Sequence, residues 1–157
     1  MNVAKLLIIL SLLAPSAAVA ATPEANEKVA ARVFLEKMGQ GRFDKLDEIY
    51  GPGFIAHDTN GRTYTLEEDN ASGREWRKAA PDLTVTIERI VGGKDLVAVH
   101  FRGSGTNTVA AAGLPGTGRK MSIQGMTFFR FKDGRIVEEW SVMDIAGLMR
   151  QVGSSGP

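Results

Sequence analysis

Along the first third of the chain the apolar residues recur at helical spacing. Ala30, Val33, Phe34 and Met38 form one stripe, and Lys28, Arg32 and Glu36 lie on the opposite side. Thr22 and Pro23 open this helix as N-cap and first helical residue, Glu24 sits in its first turn, and Gly39 and Gly41 stop it. A short second helix is predicted from Phe43 to Tyr50, with Phe43, Leu46, Ile49 and Tyr50 inward. Gly51-Pro52-Gly53 ends it, and Phe54 to His57 reads as a short extended segment. Thr65 followed three residues later by Glu68 makes a capping box for a third helix, which runs to about Ala80 before Pro81-Asp82 breaks it. That helix is weakly amphipathic, and Trp76 is its only large apolar residue beyond Leu66.

The period then changes from helical to alternating. Leu83 to Val91 and Leu96 to Ser104 predict a hairpin across Gly92-Gly93-Lys94-Asp95, followed by a Gly-rich excursion between Asn107 and Arg119. Asp133-Gly134 predicts a tight turn between Met121–Phe131 and Ile136–Met143, because both central residues of a type I′ turn need positive φ. A regular two-residue loop pairs Phe131 with Ile136, Phe129 with Glu138, Thr127 with Trp140 and Ile123 with Asp144. One face of the hairpin then carries Ile136, Glu138, Trp140, Val142 and Asp144, and the other Val137, Glu139, Ser141 and Met143. Ile145, Leu148, Met149 and Val152 make the apolar side of a closing helix. Helices first, an antiparallel meander next and a helix last predict an α+β domain: a curved sheet, apolar on the face the early helices cover, forming a cone with an internal pocket.

The chain's beginning has a different character. Lys5, the apolar run Leu6 to Ala14 and the small residues around Ala18-Val19-Ala20 read as a secretory signal over residues 1–20, cleaved after Ala20. The run is shorter than the roughly 20 residues of a spanning helix, so a periplasmic or secreted protein with no membrane attachment after cleavage is expected. Residues 21–152 are of a size for one domain, and 153–157 form a flexible tail. Without Lys5 the charges balance, and no basic cluster points to nucleic acid. The chain has no cysteine, which excludes thiol chemistry and cysteine metal sites, and its two histidines lack metal-ligand spacing.

Candidate chemistry concentrates on the final hairpin. Asp144 shares the apolar face with Trp140, where desolvation would raise a carboxyl towards the range of a general base; as the residue before a helix it is equally suited to be an N-cap. Glu138 on the same face needs a partner or an open rim, and Arg102 and Arg130 are the cations in reach. His57 ends a strand, and histidine has the right chemistry for proton transfer. Asn107 could donate its amide to a substrate carbonyl or cap a turn. Trp76 and Trp140 are core or pocket wall, with Trp140 best placed to touch a ligand. The Ala-Ala-Gly-Leu-Pro-Gly-Thr-Gly excursion lacks the Lys-Ser/Thr ending of a phosphate loop and reads as a surface loop or lid.

Pro81-Asp82-Leu83, Gly105-Thr106, Gly113-Leu114-Pro115-Gly116-Thr117-Gly118, Asp133-Gly134-Arg135-Ile136-Val137-Glu138-Glu139-Trp140 and Asp144, in that order, resemble the SnoaL-like polyketide cyclases and ester cyclases of the nuclear transport factor 2-like superfamily. The resemblance spans about Val29 to Val152. It implies a cone-shaped α+β barrel, often a homodimer through the outer sheet face, with no metal or cofactor and an aspartate at the Asp144 position as acid/base of an aldol closure. Many relatives have Asp-His where this chain has Ala56-His57, and histidine where it has Asn107. The expected function is a small exported cyclase, isomerase or hydratase acting on a hydrophobic carbonyl compound. Asp144 would move the proton, with His57 and Asn107 polarising the carbonyl and Trp140, Glu138 and Trp76 lining the site. A non-catalytic protein holding a hydrophobic small molecule is the alternative, and the Met126, Phe128, Val137 and Met143 face is the candidate surface for a partner or second copy.

Overall fold

The structure, a computed structural model, describes residues 22–153; the leader expected over residues 1–20 and nearly all of the predicted tail lie outside the described residues. The first helix, α1 (Pro23–Arg32), is capped as its sequence predicts, with the Ala25 N–H donating to Thr22 Oγ1 at 3.2 Å. Beyond Arg32 the helix does not stop but widens into a π-helical segment, Val33–Met38, closed by the Gly39 N–H on the Phe34 carbonyl.

The predicted second helix shrinks to a single 3₁₀ turn, Leu46–Glu48, because Tyr50 is already in strand β1 (Tyr50–His57), paired with Ile136. Gly53, at φ 73°, sits in the irregularity that realigns β1 between Tyr50 and Ile55. The short strand β2 (Thr63–Thr65), absent from the sequence reading, pairs with β1. Helix α2 (Leu66–Ala79) carries both halves of its capping box: the Glu68 N–H donates to Thr65 Oγ1 and the Thr65 N–H to Glu68 Oε2.

The meander follows as β3 (Thr84–Gly92), β4 (Leu96–Asn107), the small hairpin β5 (Ala110–Ala111) and β6 (Leu114–Pro115), β7 (Arg119–Lys132) and β8 (Arg135–Met143). Helix α3 (Ile145–Val152) closes the fold and ends on Gly153 in the left-handed region. The sheet runs β2-β1-β8-β7-β4-β3 and is mixed, since β1 and β8 are parallel while all its other neighbours are antiparallel. Its concave face packs on α1 and the π-helical segment through Phe34, whose ring lies 4.6 Å from that of Phe101 and 5.9 Å from that of Phe129. A second cluster, including Leu83, Leu114, Met121, Ile123, Leu148 and Val152, closes the other end under α3. This is the α+β cone the pattern predicts.

The final hairpin departs from its predicted register. Asp133 and Gly134 both have positive φ, and Lys132–Arg135 and Phe131–Ile136 pair as expected. Val137 is then an extra residue: Arg130 pairs with Glu138, Phe129 with Glu139, Phe128 with Trp140 and Thr127 with Ser141. A one-residue shift exchanges the two faces of everything beyond it. Glu139 and Ser141 therefore face inward beside Phe129 and Thr127, while Glu138, Trp140 and Val142 face outward. The parallel ladder to β1 agrees, pairing buried Ala56 with Glu139 and outward Ile55 with Glu138. The partner strand supplies the cause. A Cβ at Gly51 would stand 2.9 Å from Val137 Cγ1, so the glycine leaves the gap into which the bulged side chain fits.

Candidate active site

Between the concave sheet face and the helices lies a cavity of about 370 Å³. The π-helical segment brings Val33, Phe34, Lys37 and Met38 to it, α2 brings Asp69, Gly73 and Trp76, and the sheet brings Ala56, Phe101, Ile123, Thr127, Glu139 and Ser141. A wide helical turn suits this role, since it presents more of its circumference to one side than an α-turn does. The wall is largely aromatic and aliphatic, with one polar stretch at residues 57–60 and another polar place around Lys37 and Glu139.

That place holds two linked sets. Lys37, only 2% exposed, donates from Nζ to Asp69 Oδ2 at 2.5 Å and to the Tyr50 hydroxyl at 3.0 Å. Ser141 Oγ donates to Glu139 Oε1 at 2.8 Å and lies 2.8 Å from Thr127 Oγ1. Burial pushes the Glu139 carboxyl up from 4.5 to about 7, the negative charge of Asp69 adds to the rise, and Lys37 and the Ser141 hydrogen bond offset part of it. Glu139 is partly buried and lines the cavity. Burial also raises the Tyr50 phenol well above its ordinary 10, with Glu139 and Asp69 contributing, so it stays a neutral hydroxyl behind Lys37. The result is a carboxyl poised to gain or lose a proton near neutrality, beside a fixed cation, in an apolar enclosure.

The residues singled out from the sequence are dispersed. Trp76 lines the cavity, as expected, and His57 reaches its edge. Glu138 and Trp140 do not line it, because the bulge turns them to the convex face. There His57 Nε2 lies 2.7 Å from Glu138 Oε1, the His57 and Trp140 rings stack at 5.2 Å, and Arg130 pairs with Glu138. Of the two cations in reach, Arg130 is the partner, because the bulge turns Glu138 to the face that Arg130 occupies in either register, while Arg102 pairs with Glu88. Asp144 is exposed and absent from the cavity lining; its Oδ1 accepts the Gly147 N–H at 2.8 Å, which makes it the N-cap of α3.

Asn107 is fully buried away from the cavity and ties down the β5–β6 excursion. Its Oδ1 accepts from the Gly116 and Thr117 N–H groups, and its Nδ2 donates to the Val109 carbonyl. Asn107→Ala leaves these three backbone groups without their partner, so a loss of about 2–3 kcal/mol in urea unfolding is expected. A change below about 0.5 kcal/mol would mean that the loop does not depend on it.

Lys37, Asp69, Tyr50, Thr127, Glu139 and Ser141 were not among the predicted site residues. Two of them carried a readable signal. Lys37 is seven residues after Ala30, squarely on the apolar stripe of the first helix, and Asp69 is seven before Trp76 on α2. A charge on an apolar stripe needs a buried partner. Among the described residues no group of three or more His, Asp or Glu side chains is arranged to hold a metal ion.

The family model described as SnoaL-like polyketide cyclase matches residues 28–152. Among solved structures, wild-type IdmH of Streptomyces antibioticus, provisionally assigned as a polyketide cyclase, is 27% identical; the match covers 82% of this chain and 98% of IdmH at a TM-score of 0.73. AclR of Streptomyces galilaeus, provisionally a hydroxylase, is 19% identical over 87% of this chain and 89% of its own, at a TM-score of 0.76. A SnoaL-like protein of Jannaschia sp. CCS1 is 22% identical over 86% and 94%, at 0.73. The last two share the fold. Among curated proteins none matches the chain.

Proposed function

Since the chain belongs to the SnoaL-like polyketide cyclase family, we propose that it is a cofactor-independent enzyme of the cyclase or isomerase type, acting on a small hydrophobic carbonyl compound, with Glu139 as its acid–base group. The observation that carries this reading is a single carboxyl held near pKa 7 inside an apolar cavity of ligand size. A carboxyl in that range takes a proton from carbon next to a carbonyl and returns it elsewhere at neutral pH. Proton removal moves from Asp144, which the sequence favours, to Glu139, because Asp144 spends its carboxylate on a helix cap outside the cavity.

The test needs no knowledge of the natural substrate. The protein is incubated in D₂O with two- and three-ring apolar ketones, and loss of the α-proton signal is followed by NMR. Catalysed exchange that saturates with ketone is the expected result. Saturable binding of these ketones without exchange would support the alternative, a non-catalytic holder of hydrophobic small molecules.

Two settings belong to the same proposal. The leader pattern supports export with cleavage after Ala20, which an intact mass beginning at Ala21 would bear out. The convex sheet face exposes Met126, Phe128, Val142 and Leu96, a contiguous apolar surface across β8, β7 and β4 that suits a homodimer. Val137 and Met143 leave the surface predicted from the regular register, and Val142 takes a place in it.

A further inference from the structure

The cavity contains a cation that proton abstraction alone does not require. Lys37 has three N–H donors; two go to Asp69 and Tyr50, and among the described residues no acceptor takes the third. The residue is 2% exposed, so its remaining donor has no bulk water to turn to, and it belongs to the cavity wall together with Glu139. Asp69 balances the charge of the Lys37 ammonium, which it meets at 2.5 Å. An ammonium has no free electron pair with which to form a Schiff base. The ammonium also lies 4.8 Å from the centroid of the Tyr50 ring, and what remains is one donor held in the wall of a low-dielectric space.

We propose that Lys37 is the electrophilic residue of this cavity: its third N–H donates to the oxygen of a neutral, enolisable ketone or phenol that becomes an oxyanion only after it has bound. This rests on the reading of Glu139 as the base. The step balances within the cavity. The C–H bond of the ketone breaks, its proton passes to Glu139, its electron pair forms the enolate double bond, and the carbonyl π pair moves onto the oxygen facing Lys37. Return of the proton at another carbon ends the cycle as isomerisation; attack of the enolate on a second carbonyl, followed by return of the proton from Glu139 to the alkoxide so formed, ends it as ring closure. Negative charge leaves Glu139 as it arrives on the ligand, so the cavity's net charge does not change. A ligand that enters already ionised, such as a carboxylate, breaks that balance by adding a negative charge beside Asp69 and Glu139. The cavity thus selects neutral, weakly acidic carbonyl and phenolic compounds. The other titratable groups that line it are His57, whose Nε2 lies 2.7 Å from Glu138 Oε1, Asp58, and Tyr64, whose hydroxyl donates to Asp58 Oδ2 at 2.9 Å.

The probe is 4-nitrophenol, whose phenolate absorbs in the visible and whose phenol does not. Bound to the wild-type protein, it should ionise about one pH unit lower than when free, a tenfold higher phenolate-to-phenol ratio. In Lys37→Met/Asp69→Asn, which removes both charges and so leaves neither unpaired, the bound probe should return to the ionisation of the free compound or ionise less readily. In Glu139→Gln, Lys37 remains, and the preference for phenolate should persist while α-proton exchange is lost. An unshifted probe on the wild-type protein, no binding of the probe, or a shift that survives in the double variant would each overturn the assignment of Lys37. The wild-type titration decides the matter even if the double variant does not fold. Exchange that survives in Glu139→Gln would instead overturn the base, and the wild-type and double-variant spectra would still report on Lys37.

Discussion

Glu139→Gln is expected to slow α-proton exchange by about 10²- to 10⁴-fold on any ketone the protein turns over, the range contributed by a positioned general base. Asp144→Asn should leave exchange within about twofold, since an Asn at the N-cap holds the same backbone N–H. The two variants separate the residue that faces the cavity from the one that the family pattern emphasises. Stability provides an independent reading of the same carboxyl. Its folded-state value, about 7, lies above its ordinary 4.5, so between those values the folded protein binds more protons than the unfolded chain. Stability is therefore lost as pH rises through that window, by no more than roughly 3 kcal/mol, and is level above it. Glutamine removes the dependence. Urea unfolding of the two proteins at about pH 4 and about pH 8 should show the variant gaining on the wild type at the higher pH. Equal pH dependence would mean that the carboxyl is not held protonated by the fold.

Lys37→Met should cost about 3 kcal/mol, the lower end of the range for breaking a buried ion pair, because Asp69 keeps 24% of its side chain in solvent. The loss comes less from the lysine's own bonds than from what it leaves behind: an unpaired Asp69 carboxylate and a buried Tyr50 hydroxyl with no donor. Adding Asp69→Asn should recover part of the loss, and urea unfolding of the single and double variants measures how much. Full stability in Lys37→Met would show that the ion pair contributes nothing to the fold.

Elements whose causes are local were legible in the chain. Thr22-Pro23, Thr65 with Glu68, and Asp133-Gly134 each specify backbone geometry within four residues, and each is found as predicted. The α+β order and the pocket follow from periodicity. The inward face of β8 was not legible, because Val137 bulges for a reason that lies elsewhere: the space left by Gly51 on a parallel strand. A regular register put Glu138 and Trp140 in the pocket, and the same reasoning with one residue added puts Glu139 and Ser141 there. Tyr50 was lost to the predicted second helix for a similar reason, since its pairing with Ile136 joins distant parts of the sequence. Lys37 and Asp69 are different. Their positions on apolar stripes were visible, and a charge on such a stripe merits the same scrutiny as a histidine.

The parallel seam between β1 and β8 has a temporal meaning. It is among the most non-local pairings of the sheet, with 81 residues separating His57 from Glu138, and loops of that size close slowly. The β3–β4 and β7–β8 hairpins join neighbouring strands and can form as the chain emerges, but the cavity needs the π-helical turn from near the beginning and β8 from near the end. A growing chain therefore carries Lys37 and Asp69 in water until its last strand arrives. Only then do the lysine, the aspartate and the glutamate share one enclosure.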